Sequence, residues 1–314
     1  MDLYASEASV QALTSNPILD KMYRGGSAAV KSGGARIDIP VRYGMNPGYQ
    51  WYQGTDKLDM APYETNTSAR YDWKQLHAPV TYTGEESRKN RGDSAMLDLV
   101  TERIGSTQLT LRKVLDAAMA GNGLANDGKV ILGLEAMFPT TPTSDPTIGA
   151  IGGIGVSGNA WWQNYAVTSF GSFATYGPKG TSNDKWLNAF NTISDGSDQP
   201  DLIISSQDVT EFYNKAALTA TQIIMSQNAT GQLSFPTLKY QGTDWFWSRN
   251  IPDGRAYFLR SSDLKFWLQS GASFTLSPFV KAFDQDLYGA SMLVMGAFFT
   301  DRRLFSAVLD GILV

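Results

Sequence analysis

The chain has 314 residues, 42% hydrophobic and 18% charged, a balance that excludes a disordered polymer and suffices for one large domain or two moderate ones. It contains no cysteine, so disulfides, thiolate catalysis and thiolate metal sites are excluded. Its formal net charge of −4 argues against a basic surface that wraps nucleic acid directly.

Residues 1–35 hold little apolar material. Leu13, Ile18, Leu19 and Met22 offer a thin face, and Gly25, Gly26, Gly33 and Gly34 interrupt the segment. This predicts an arm that must lie on another surface. No apolar run near the start reads as a secretion signal, and no stretch approaches the roughly 20 apolar residues of a membrane span. Synthesis in the cytoplasm is expected.

Residues 36–43 alternate, with Ile37, Ile39 and Val41 set against Arg36, Asp38 and Arg42. Period two predicts a half-buried strand. A second strand is expected over 69–82, where Tyr71, Trp73, Gln75 and His77 alternate with Asp72, Lys74 and Leu76. Residues 44–68 between them are rich in Gly, Pro, Asn, Tyr and Thr. The three pieces predict an extended, projecting hairpin that buries too little to be stable alone and needs a surface supplied by the rest of the fold or by another subunit. Glu85 and Glu86 beside Arg88, Lys89 and Arg91 make a mixed charge run. It reads either as a solvated face or as an intersubunit salt-bridge site at the base of the hairpin.

Asp93 is a good N-cap for the clearest helix, 93–120. Leu97, Val100, Ile104, Leu111, Leu115 and Ala118 share one face, Gly105 predicts a bend, and Gly121-Asn122-Gly123 closes it. A short apolar segment follows at 130–138, then an exposed, mobile Pro/Thr/Gly loop at 140–158. A helix is expected at 185–193, a short buried strand at 202–204, and a helix carrying Val209, Phe212 and Tyr213 after it. Further strands are expected at 238–247, 256–259, 264–268, 287–299 and 304–312. The 287–299 segment is apolar on both faces, as a central strand would be. The middle of the chain thus predicts a mixed α/β module.

Chemistry is thin. His77 is the only histidine, and no Ser/His/Asp order stands out. Asp284 and Asp286 read as turn residues. The glycine-rich 151–155 lacks the Lys-Ser/Thr pair of a phosphate loop. Trp51, Tyr52, Trp245 and Trp247 could stack on sugars, but no carboxylate pair can be placed in a cleft. No catalytic residue, cofactor or metal is expected.

Several stretches, in this order, carry a resemblance: RIDIPVRYG at 36–44, ARYDWKQL at 69–76, GEE at 84–86 with NRG at 90–92, ILGL at 131–134, NAWW at 159–162, QPDLI at 199–203, FVK at 279–281, and DRR at 301–303 through Gly311-Ile312. Over nearly the whole chain the sequence resembles the tailed-bacteriophage major capsid proteins of the Hong Kong 97-like fold. The resemblance implies an α+β fold with a fixed set of parts. These are an N-terminal arm (1–35), an extended β-hairpin loop (36–84), a peripheral domain of spine helix (85–123) and C-terminal strands (275–314), and a mixed α/β axial domain (124–274). It implies self-assembly into pentamers and hexamers of an icosahedral shell that encloses double-stranded DNA, a virion location, and scaffolding, portal and decoration proteins as partners. An encapsulin-like compartment of the same fold is the alternative. Intersubunit contacts are then expected at Arg42, Trp51, Tyr52, Lys57, Trp73, Glu85, Glu86, Arg88 and Arg91. Some members cross-link a loop Lys to a neighbour's Asn. Lys57 lies in the right region, but no Asn follows Asn250, and that bond is not expected.

Overall fold

The computed structural model describes residues 17–89, 96–178, 184–196, 198–220 and 238–314. Helix α1 (Pro17–Arg24) buries Ile18, Leu19 and Met22, one face at helical spacing, and leads into strand β1 (Ala28–Lys31). Strands β2 (Ile37–Arg42) and β3 (Asn66–Tyr71) form an antiparallel pair, Ile37 opposite Tyr71 and Arg42 opposite Asn66. Strand β4 (Lys74–Thr83) runs into the short helix α2 (Gly84–Lys89), and α3 (Met96–Ala120) is one helix of 25 residues that continues through Gly105. The proposed cap Asp93 and the charge Arg91 lie outside the described residues. After β5 (Tyr165–Val167) and β6 (Gly171–Ser172) come α4 (Lys185–Thr192), β7 (Leu202–Ser205) and α5 (Gln207–Ala220). Asp184 caps α4 by accepting the Leu187 N–H at 2.7 Å. The remainder is β8 (Leu238–Tyr240), β9 (Thr243–Trp247), β10 (Ala256–Leu259), β11 (Leu264–Gln269), β12 (Thr275–Leu276), β13 (Val280–Lys281), β14 (Leu287–Thr300), β15 (Ala307–Leu309) and β16 (Ile312–Leu313).

Two six-stranded sheets organise the molecule. In the first, β14 is the hub. It pairs with β11, β12 and β13 along one edge and with all of β4 along the other, from Thr83 opposite Leu287 to Lys74 opposite Gly296, while β1 extends β11 in parallel. The second runs β5-β15-β10-β7-β9-β8. Its centre is covered on both faces, which is why every residue of β7 and β10 is buried and all but Ser205 and Tyr257 are wholly apolar. Leu202, Ile204, Tyr257 and Leu259 join a core shared with the first sheet, α1 and α3 through Leu111, Leu115 and Met119. Ile203, Ala256 and Phe258 face α4 and α5 across a ring-filled core. There Trp186 stacks on Trp245 at 4.9 Å and receives Phe258 edge-on at 4.8 Å. Trp245 is also covered by Tyr213 at 4.5 Å. It is fully buried and cannot stack on a sugar, which corrects that reading.

The structure corrects the expected strands in several places. The single strand over 69–82 is two strands in different sheets. Ala69 and Tyr71 are buried before the break, Ala78 and Val80 after it, so the alternation slips by one residue at Asp72-Trp73. The strand over 238–247 is the hairpin β8–β9. Gln241 and Gly242 both have positive φ, as a two-residue hairpin turn requires. The last strand is broken between β15 and β16 at Gly311 (φ 73°). Strand β11, expected in the axial domain, belongs to the first sheet, and β15, expected with the peripheral strands, belongs to the second.

Of the two sources of cover expected for the arm and the hairpin base, the structure supplies the one within their own chain. Residues 17–31 pack into the shared core and onto β11. Ile37, Ile39, Val41, Ala69 and Tyr71 form a third cluster with Ile151, Val156, Trp162 and Phe299. The 140–158 loop therefore supplies a packing surface at its C-terminal end and is not wholly exposed. Gly152 sits there at φ 66°, where a Cβ would lie 2.9 Å from the Ala69 Cβ and 3.2 Å from the Tyr71 hydroxyl. Gly152→Ala is expected to cost about 2 kcal/mol, from left-handed strain plus overpacking, read as a lower urea midpoint.

Candidate intersubunit surface

Between β2 and β3 the chain leaves the body as a loop, residues 44–65. Among the described residues, its hydrogen bonds stay within the loop and its root. Gln50 Nε2 donates to the Lys57 carbonyl at 2.7 Å, Gln53 N–H to Asp56 at 2.9 Å, and the Tyr63 hydroxyl to Asp59 at 2.6 Å. That hydroxyl, with the Ala61 N–H, holds the Asp59 carboxyl below its usual range. Among the described residues, the loop's largest side chains are left uncovered. Trp51 is 100% exposed, Met45 87% and Met60 86%, with Tyr49, Tyr52 and Leu58 also in the open. Arg42 and Lys57 are exposed on the same element, and Tyr43 at its root stacks on Trp161 at 5.0 Å.

At the end of β4 remote from the loop, hydrogen bonds and ion pairs fix the start of α2. Thr83 N–H donates to Glu86 Oε2 at 2.9 Å while Glu86 N–H donates to Thr83 Oγ1 at 3.2 Å, a reciprocal capping box that starts α2. The Thr-x-x-Glu spacing was there to be read in the sequence. Glu86 then takes Arg103 of α3 at 2.6 Å, and the Thr83 N–H and this arginine hold its carboxyl below the usual range. Arg103 also donates to the Thr81 carbonyl. Arg88 pairs with Asp286 at 2.6 Å, and Lys89 with Glu85 at 2.6 Å. Glu85, Glu86 and Arg88 thus all have partners within the subunit. Asp286, expected only as a turn residue, ties α2 to the β13–β14 turn through Arg88, with Lys281 3.7 Å away. Trp73 is half-buried at the break between β3 and β4, its indole N–H unpartnered. His77 is exposed opposite Leu293.

A second exposed apolar tip was missed in the sequence. Phe283 stands fully in solvent at the β13–β14 turn, with Val280 67% exposed beside it. Its flanking signal, a lone Phe among Asp and Gln in a turn, was available.

Below these surfaces, the segment after β14 joins the two sheets. Asp301 donates its N–H to the Asp263 carbonyl at 3.1 Å and faces Lys265 at 3.8 Å. Burial, with the neighbouring Asp263 charge adding to it against Lys265 and Arg302, pushes the Asp301 carboxyl up to about 6. The unfolded value is about 4, so the folded chain holds this proton more tightly. Stability from Asp301 is therefore fully present below about pH 4 and is lost as pH rises through about 6. Asp301→Asn is expected to flatten this dependence and add on the order of 1–2 kcal/mol above pH 7, seen as the difference between the two proteins' denaturation curves across pH.

Among the described residues, no group of three or more His, Asp or Glu is placed to hold a metal ion, and no helix is long and apolar enough to cross a membrane. A long helix laid along a β-sheet, a second sheet with its own helices, and a loop thrown clear of both make up the architecture. No protein-family model and no curated protein matches the chain. Solved structures do. The capsid of cyanophage A-1(L) aligns at a TM-score of 0.64 and 14% identity, over 90% of this chain and 89% of that one. The capsid of a native GTA particle aligns at 0.62 and 10%, over 93% and 90%. The SrpI encapsulin of Synechococcus elongatus PCC 7942 aligns at 0.57 and 11%, over 94% and 89%. The chain has the Hong Kong 97-like capsid fold.

Proposed function

We propose that this protein is the structural subunit of a tailed-phage head, assembling with copies of itself into a closed icosahedral shell around double-stranded DNA. The observation that carries the reading is the 44–65 loop. It is internally braced, rooted in the β2–β3 pair, and leaves Trp51, Met45 and Met60 exposed among the described residues. Exposed rings and thioethers of this size are stable in solution only when another surface takes them. In a ring of identical subunits the same loop on each copy covers the next, and the ring closes. Arg42, Tyr52, Lys57 and Trp73 belong to this element and are proposed to contact the neighbour. Phe283 and Val280 offer a second contact. The mild negative charge suits a container wall that does not grip packaged phosphate. No step calls for an enzyme.

The likeness to an encapsulin supports a second reading, a compartment for protein cargo. Expression of the full chain followed by electron microscopy tests assembly, and particle contents separate the readings. Closed shells from the head lysate holding nuclease-resistant, genome-length DNA support the phage head. Shells with a co-purifying protein and no DNA support the compartment. A chain that stays monomeric at high concentration overturns both.

A further inference from the structure

Helix α3 ends in Gly121-Asn122-Gly123, a turn that the shell reading does not use. Asn122 is exposed, and its side-chain carbonyl accepts the Leu124 N–H at 3.1 Å. That bond curls the side chain forward over the peptide that joins residues 122 and 123 and draws electron density from its Cγ. The Gly123 N–H has no hydrogen-bond partner among the described residues. Glycine adds no side chain to block its nitrogen. Gly123 is buried but its nitrogen is unengaged and next in the chain to the polarised amide, so an intramolecular attack is favoured over any bimolecular route.

We infer that Asn122 is a site of spontaneous covalent modification. The Gly123 nitrogen bonds to Asn122 Cγ, the Cγ–NH2 bond breaks, and the amide proton leaves with the amine as ammonia, forming a five-membered cyclic imide. Water then opens the ring at either carbonyl, leaving aspartate or isoaspartate at position 122. No oxidant, reductant or second protein takes part. The same loop holds its own contrast. Asp127-Gly128 could cyclise by the same route with loss of water, but the Gly128 N–H donates to the Leu124 carbonyl at 3.2 Å and its nitrogen is engaged.

The product strains the joint. A carboxylate at 122 sits just past the C-terminus of a 25-residue helix, where the backbone dipole is negative. Isoaspartate also lengthens the main chain where there is no slack. A Cβ on Gly133 would fall 2.1 Å from the Gly121 carbonyl oxygen, and one on Gly123 2.9 Å from Ile148 Cδ1. Modification at 122 therefore weakens the exit of α3 as the protein ages. This inference does not depend on what the assembled protein encloses.

The test is a time course on the full-length chain, in whatever particle it forms, held at pH 7 and pH 9 and mapped by peptide mass spectrometry. The peptide carrying Asn122 is expected to gain the mass of an NH2-to-OH exchange and split into two isomers, faster at pH 9. Asn126 keeps its amide and Asp127 stays unisomerised over the same period. Asn122→Ser retains a hydroxyl acceptor and abolishes the mass gain, and Asn122→Asp lowers Tm by about 2–4 °C. An Asn122 amide that persists as long as that of Asn126 overturns the site. Modified protein with an unchanged Tm overturns its effect on the joint. Should Asn122→Ser fail to fold, the wild-type map decides alone.

Discussion

Replacing residues 47–62 with a short Gly-Ser link is expected to leave a folded subunit that no longer closes into shells. The loop contributes nothing to the three hydrophobic clusters, and its root is held from both sides by β2, β3 and their own partners. Removing it therefore deletes no core contact. Its side chains are worth a great deal once covered. A Trp51 ring that buries about 200 Å² against a neighbour contributes about 5 kcal/mol of transfer free energy. Even a third of that is more than tenfold in each contact's equilibrium constant, and the contact repeats at every subunit. Trp51→Ala alone should raise the concentration needed for assembly by at least that factor. Sedimentation velocity reads the assembly, and a thermal melt of the dilute subunit reads the fold. Shells that form at the wild-type concentration from the loopless chain would sink the proposed mode of contact.

Arg303→Ala is expected to cost about 3–5 kcal/mol and lower Tm by about 6–12 °C. Arg303 is wholly buried, and burial draws its guanidinium down to about 10. It donates to the Met137 carbonyl at 2.8 Å and to Asn164 Oδ1 at 3.2 Å, over the Trp162 ring at 6.0 Å. One remaining nitrogen, Nη1, has no partner. Truncation leaves a cavity and two orphaned acceptors at the junction of the sheets, which is worse than losing the charge alone. Arg303→Met refills the space without the charge and should recover part of the loss. Guanidinium denaturation of both variants checks the ranking. Equal stability of wild type and Arg303→Ala would mean that the buried charge is matched by a desolvation penalty of its own size.

Local pattern located most of the pieces. Ile37, Ile39 and Val41 alternate because one face of β2 is buried, and Leu202 to Ile204 run apolar because β7 is covered on both faces. Leu111 and Leu115 lie one turn apart because α3 presents a single stripe to the core. The uncovered 44–65 loop was also legible, since its composition is wrong for any regular element. Arg91 and Asp93 lie outside the described residues, so the start of α3 stays an expectation.

What sequence alone determined, then, is which short segments bury a face and where the chain must project. Tertiary pairing decided which sheet each strand joins. β4 leaves β3's sheet because β14, some 200 residues on, offers ten partners, and the Tyr71 hydroxyl reaches the Thr300 carbonyl at 2.7 Å. It also decided that α1 and the hairpin base fold onto their own body, and that Arg303 is a buried joint and not a surface charge. Periodicity reports how much of a segment is covered but is blind to what covers it, because the covering atoms come from distant parts of the chain.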